Sequence, residues 1–141
     1  MSQSIETSNA PKAVGRYPHA RKVGNLLFLS GIGPRSAIDN SIPGNLYDAD
    51  KVLLSYDINA QCHSVFANVK AVLTASGADL NDLVDVTVYL TDMARDFNSY
   101  NQIWAEYFPD PALAPCRTTL GITALPTPIA IELKCTAVLK E

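Results

Sequence analysis

Ala114-Pro115-Cys116-Arg117-Thr118-Thr119 is followed, fifteen residues after its arginine, by Glu132 within Ile129-Ala130-Ile131-Glu132-Leu133-Lys134-Cys135. Both segments read as strands, because apolar and small polar residues alternate and β-branched residues are frequent. In the second, Ile129, Ile131, Leu133, Cys135, Ala137 and Leu139 fall on one face, and Glu132, Lys134 and Thr136 on the other. Leu125-Pro126-Thr127-Pro128 between them is turn chemistry, so the spacing predicts an antiparallel hairpin. With Ala124 paired to Ile129, Arg117 faces Thr136 and Glu132 faces Gly121, which puts both charged groups on one face. They are then four residues apart along the ladder, about 13 Å at ~3.4 Å per residue. One hairpin of that length does not bring both onto a small ligand; two copies meeting at a subunit interface do.

Upstream, Val23-Gly24-Asn25 reads as a hairpin turn leading into the buried strand Leu26-Leu27-Phe28-Leu29-Ser30. Gly31 and Gly33 end that strand and allow close approach by a ligand or another chain. Ser36 to Asp50 is an irregular surface loop. Ile58, Cys62, Val65, Phe66, Val69, Val72 and Leu73 recur at helical spacing, with Ser55 or Asp57 to cap the start and Gly77 to end it. Val84 to Leu90 alternates as a strand. Phe97, Tyr100, Ile103, Trp104, Tyr107 and Phe108 form the apolar stripe of a second helix over about 96–108, stopped by Pro109. The order is β-β-α-β-α-β-β, an α+β arrangement in which two helices cover one face of a sheet. The other face is expected to carry Arg117, Thr119, Gly121, Glu132 and Thr136 and to pack against another subunit.

Residues 1–141 read as a single domain, with polar residues 1–9 as a flexible or edge segment. The formal net charge of −3 offers no basic field for nucleic acid or acidic membrane. No apolar run approaches the ~20 residues that span a bilayer, and Met1 to Ala13 has no secretory pattern, so a cytoplasmic location is expected. Cys62, Cys116 and Cys135 are odd in number and lack paired spacing, which suggests reduced, packed thiols. His19 and His63 lack metal-ligand spacing with any cysteine.

Several of these segments together resemble the reactive intermediate deaminase (Rid/YjgF) family: Ala10-Pro11 with Gly15-Arg16-Tyr17, Gly24-Asn25-Leu26-Leu27-Phe28-Leu29-Ser30-Gly31, Asn68-Val69-Lys70-Ala71-Val72-Leu73 with Gly77, Asp96-Phe97 with Asn101, and Pro115-Cys116-Arg117 with Glu132. The resemblance runs from about Asn9 to the C-terminus. It implies a chorismate-mutase-like fold, a homotrimer with sites between subunits, and no metal or organic cofactor. Arg117 takes the place of the arginine that binds the substrate carboxylate, and Glu132 that of the glutamate that positions the attacking water. Tyr17, Ser30, Gly31 and Asn101 match pocket-lining positions. Ile32 and Thr119 stand where many members have Gln and Cys. Tyr17-Pro18-His19-Ala20-Arg21 together with Arg35 is similar to the 2-aminomuconate deaminase branch of aromatic amine catabolism, whose substrate is a conjugated dicarboxylate.

Hydrolysis of an enamine or imine needs a cation on the carboxylate, donors for developing charge near Ser30 and Gly31, and a carboxyl to handle water and a proton. From pattern alone, Arg117 is equally well an interface salt bridge, and Glu132 a structural partner of Lys134 or of a neighbour's Arg117. His19 and Arg21 share a strand face, as a second carboxylate clamp requires, but a solvated strand end has the same pattern. Arg35 reads equally as an exposed charge. Cys116 is taken as packing, and Trp104 and Tyr107 as core. A generalist 2-iminopropanoate deaminase and a trimeric carboxylate-binding regulatory module are the alternative readings.

Overall fold

The computed structural model of the chain describes residues 2–140. In chain order the strands are β1 (Ser2–Ile5), β2 (Ala20–Val23), β3 (Leu26–Leu29), β4 (Leu46–Tyr47), β5 (Leu53–Ser55), β6 (Leu83–Leu90), β7 (Cys116–Gly121) and β8 (Ile131–Val138). Helix α1 (Ile58–Ala75) lies between β5 and β6, and helix α2 (Met93–Tyr107) between β6 and β7. Six strands form one mixed sheet in the order β1-β2-β3-β8-β6-β7, and β4 pairs with β5 separately. Only β6–β7 is parallel; the other four pairings of the large sheet are antiparallel.

The helices obey the sequence pattern. Asp57 caps α1 by accepting from the Asn59 and Ala60 amides. After Ser76 the chain turns left-handed at Gly77, φ +78°, where a side chain would be strained. α1 buries Cys62, Val65, Phe66, Val69, Val72 and Leu73, and α2 buries Tyr100, Ile103 and Trp104. Both rest on the sheet face formed by Leu27 and Leu29 of β3, Val86, Val88 and Leu90 of β6, and Ile131, Leu133 and Cys135 of β8. Gly24, φ +61°, occupies the first position of the two-residue β2–β3 turn. The polar N-terminus supplies an edge strand, β1, paired with β2.

The predicted β7–β8 hairpin does not form. β6, α2 and β7 make a β-α-β unit, whose crossover returns the chain parallel to its first strand. β6 is central and has two edges to satisfy. β7 takes one and β8 the other, while Ile122 and Thr91 close the ends by bonding to Leu90 and Ala130 carbonyls. Arg117 is therefore in register with Val86 and Cys135, on the helix side of the sheet. Glu132 is in register with Tyr89, on the opposite side. The expectation that they share a face is corrected, and Thr119 and Gly121 move to the helix side with Arg117; a Cβ on Gly121 would touch Met93 of α2.

The uncovered face carries Phe28, Thr87, Tyr89, Thr118, Leu120, Glu132, Lys134 and Thr136. Cys116 is exposed on that side, not packed, whereas Cys62 and Cys135 are buried. Among the described residues no helix is long and apolar enough to cross a membrane.

Candidate active site

The chain leaves β3 at Ser30, whose amide donates to the His19 carbonyl at 2.9 Å and whose hydroxyl donates to the Pro18 carbonyl at 2.7 Å. Ile32 then bridges to Leu133 of β8 through two 2.9 Å backbone bonds. These anchors press Gly31 against the side chain of Glu132: a Cβ at Gly31 would lie 2.9 Å from Oε2 and 3.0 Å from Cδ. Only a residue without a side chain lets the carboxyl sit there undisturbed. Among the described residues Glu132 has no hydrogen-bond donor or cation within reach. Lys134, its neighbour on the same face, donates to the Leu29 carbonyl instead. Half burial without compensation raises the Glu132 pKa above its ordinary 4.5.

Tyr17, His19, Ser30, Gly31 and Arg35 all line one small cavity of about 40 Å³, with Pro11, Ala13, Ile32 and Gly33. Tyr17, Ser30 and Gly31 also border a recess toward the uncovered sheet face, next to Phe28 and Lys134. Five predicted residues thus share one cavity, and Gly31 links it to Glu132. Two of them have structural occupations. The Thr7 amide donates to His19 Nδ1 at 3.2 Å, and Nε2 faces the Pro11 carbonyl at 2.7 Å, a pattern that requires a neutral ring protonated on Nε2. With both nitrogens held by backbone, His19 latches the N-terminal loop and has no donor left to clamp a carboxylate. Arg35 ties its own loop, donating to Asn40 Oδ1 and the Lys12 carbonyl, both at 2.9 Å. Arg21 donates to the Ser2 hydroxyl across the sheet edge.

Sequence reasoning missed how α1 holds this wall. Gln61, Ser64 and Asn68 lie on one helical face and reach the loop. Asn68 Nδ2 donates to the Gly33 and Arg35 carbonyls, both at 2.8 Å, and Ser64 donates to the Pro34 carbonyl at 2.7 Å. Gln61, fully buried, accepts from the Ala130 amide at 2.8 Å and donates to Asn45. The available signal was two amide side chains seven residues apart within an otherwise apolar stripe; buried polar groups of that kind need partners.

The second group lies across the sheet, on the β7 edge. Arg117 Nη1 donates to Asn101 Oδ1 at 2.9 Å, and its guanidinium sits 5.1 Å from the Tyr100 ring centre and 5.0 Å from that of Trp104. The Tyr100 and Thr119 hydroxyls are 2.8 Å apart. Arg117, Asn101 and Thr119 are thus together, separated from Glu132 by β6 and by the thickness of the sheet. Within one chain the predicted residues form two half-sites.

A model of the family described as endoribonuclease L-PSP matches residues 7–139. The chain belongs to this family, the reactive intermediate deaminase (Rid/YjgF) family. Its Rid relatives include Reactive Intermediate Deaminase A, chloroplastic, of Arabidopsis thaliana, 38% identical over 135 residues that cover 96% of this chain and 65% of that protein. The crystal structure of the YjgF gene product from E. coli superposes with a TM-score of 0.81 at 29% identity, covering 98% of this chain and 99% of the other. E. coli TdcF with bound serine matches with a TM-score of 0.82 at 28% identity, over 98% and 99% of the two chains. The mixed six-strand sheet with two helices is accordingly the Rid fold.

Proposed function

We propose that this Rid protein is an enamine/imine deaminase that hydrolyses 2-aminomuconate, a conjugated amino dicarboxylate, and that it works as a homotrimer with sites between copies. The observation that carries the reading is the pair of incomplete half-sites. A carboxyl with a raised pKa and no partner stands against a glycine on one side of the sheet. An arginine with most of its N–H groups free stands at the sheet edge on the other. A neighbouring copy that brings its β7 edge to the Glu132 side completes both.

In such a site Arg117 holds the substrate carboxylate through paired N–H groups. The enamine tautomerises to the imine, which is protonated on nitrogen. Glu132 takes a proton from water as the oxygen adds to the imine carbon, then returns it to nitrogen. Glu132 then takes the hydroxyl proton as the C–N bond breaks, ammonia leaves with the bonding pair and collects that proton, and the carbonyl of a 2-oxo acid remains. In this reading the Gly31 backbone amide supplies the donor for developing charge, because the Ser30 hydroxyl is already given to the Pro18 carbonyl. The intrinsic barrier is modest, so positioning supplies much of the rate. The dicarboxylate assignment draws on the resemblance at 17–21 and on Arg35, which borders the same cavity as Ser30 and Gly31. The serine bound in TdcF supports a site sized for small carboxylates.

The test is ammonia release with loss of conjugated absorbance, comparing 2-aminomuconate with 2-iminopropanoate generated in place. The dicarboxylate is expected to be preferred, and Arg35→Ala to lower that preference. Arg117→Ala and Glu132→Ala are each expected to reduce turnover at least 10²-fold. Mixing the two inactive variants after dissociation restores part of the activity if sites are shared. Preference for 2-iminopropanoate would point to the generalist reading, and binding without ammonia release to a carboxylate-binding module.

A further inference from the structure

One turn of α2 presents three side chains to Arg117. Asn101 supplies the one hydrogen-bond acceptor, and Tyr100 and Trp104 supply aromatic faces at 5.1 and 5.0 Å. Tyr100 and Trp104 are themselves immobile. Tyr100 is fully buried and tied to Thr119, and Trp104 packs on Phe66 and Phe108. Asn101 is exposed, and its side-chain oxygen accepts from Arg117. A guanidinium on an edge strand with one face on aromatic rings and one N–H fixed loses little further freedom when a carboxylate arrives. Its remaining donors stay in the plane that a carboxylate needs.

We propose that Asn101 is a positioning residue that acts through Arg117, fixing the guanidinium against the Tyr100–Trp104 faces, and that it does not itself hold the ligand. This rests on the reading of Arg117 as the carboxylate anchor and departs from the resemblance, which puts Asn101 on the pocket wall. Trp104 is the only tryptophan of the chain and lies beside the guanidinium, so its emission reports on the charge there.

Serine, which carries a carboxylate and does not absorb near the tryptophan band, serves as the probe. Titrating it into the intact protein is expected to change Trp104 emission saturably, and Arg117→Ala to abolish the change. Asn101→Ala, at an exposed position, is expected to keep the parent's Tm, to raise the serine midpoint and the KM for the amino acid substrate about tenfold, and to change kcat less than KM. In the Arg117→Lys background the same Asn101→Ala change is expected to have little additional effect on the serine midpoint, because the planar group it positions is gone. An undiminished shift in that background would mean that Asn101 touches the ligand directly, and would overturn the proposal. So would an unchanged midpoint in Asn101→Ala, or a parent protein whose emission does not respond. Full ammonia release by Arg117→Ala would instead bring down the functional reading beneath it.

Discussion

Glu132 combines half burial, a raised pKa and a glycine pressed against its carboxyl. Burial against Gly31 raises its pKa, and among the described residues nothing compensates. The folded protein therefore binds this proton more tightly than the unfolded chain. Linkage then gives the sign: the protonated group is accommodated at low pH, and stability falls as pH rises through 4.5 toward the raised folded value. Glu132→Gln removes the ionisation. In the isolated chain, where no neighbour's Arg117 approaches the carboxyl, we expect the variant to have a higher Tm than the parent at pH 7, with the gap closing below pH 4.5, in melts followed by circular dichroism across pH. Equal melting at every pH would show that the carboxyl is not penalised. The same variant should lose ammonia release, because Gln cannot take the proton from water. Stability and activity then move in opposite directions, as expected of a residue retained for chemistry.

At the scale of elements, α1 does more than cover the sheet. Its Gln61, Ser64 and Asn68 bind the segment from Gly33 to Arg35 and the start of β8, the two stretches between which Glu132 and Gly31 meet. Asn68→Ala leaves two carbonyls without their donor. This should cost about 1–3 kcal/mol of unfolding free energy, measured by chemical denaturation. The same change should speed amide hydrogen exchange at Gly31 to Arg35 more than in β6. A loss of stability spread evenly over the chain would argue that Asn68 serves only the core. The 3-10 turn at Leu80–Asp82 and the capping box of Asp79 and Asp82 launch β6 and touch neither half-site. α2 has a different role from α1, because its exposed edge meets β7 and Arg117.

At the scale of the whole molecule, one sheet face lies under the helices and the other is open. Leu26, Phe28 and Leu120 on the open side are 39%, 41% and 43% exposed, interleaved with Thr and with Glu132. Such a mixed surface suits a partner that also brings polar groups. If the proposed homotrimer is correct, Phe28→Asp places a charge in the contact. Sedimentation should then report monomers with parent-like far-ultraviolet dichroism, and ammonia release should fall with the trimer population. A trimer that survives the change would mean that this face is not the contact. An active monomer would mean that the sites are complete within one chain.

Periodicity was enough to identify both helices, the Gly77 end of α1, the turn at Gly24, and the buried stripes of β8 and of β6 from Val86 to Leu90, because each is encoded by residues close in sequence. It left Ser55 or Asp57 open as the cap, and it counted Val84 as buried, which lies 42% exposed where the β6 register shifts. Gly31 as a point of close approach was legible for the same reason, whereas the pocket reading of Tyr17, Ser30 and Asn101 came from the family resemblance. The partner of β7 was not. Cys116-Arg117-Thr118-Thr119 has no apolar face, so its alternation does not say which side meets the core, and a proline-rich turn suggests a hairpin however the sheet is ordered. Strand order depends on which edge of β6 each segment reaches after the α2 crossover, and that is a contest between non-local contacts. It placed Arg117 on the helix side and left Glu132 alone on the other. Local chemistry marked the two charged groups but left them equally well structural, and the family resemblance gave them their roles; the long-range pairing of β6 set them on opposite sides of the sheet.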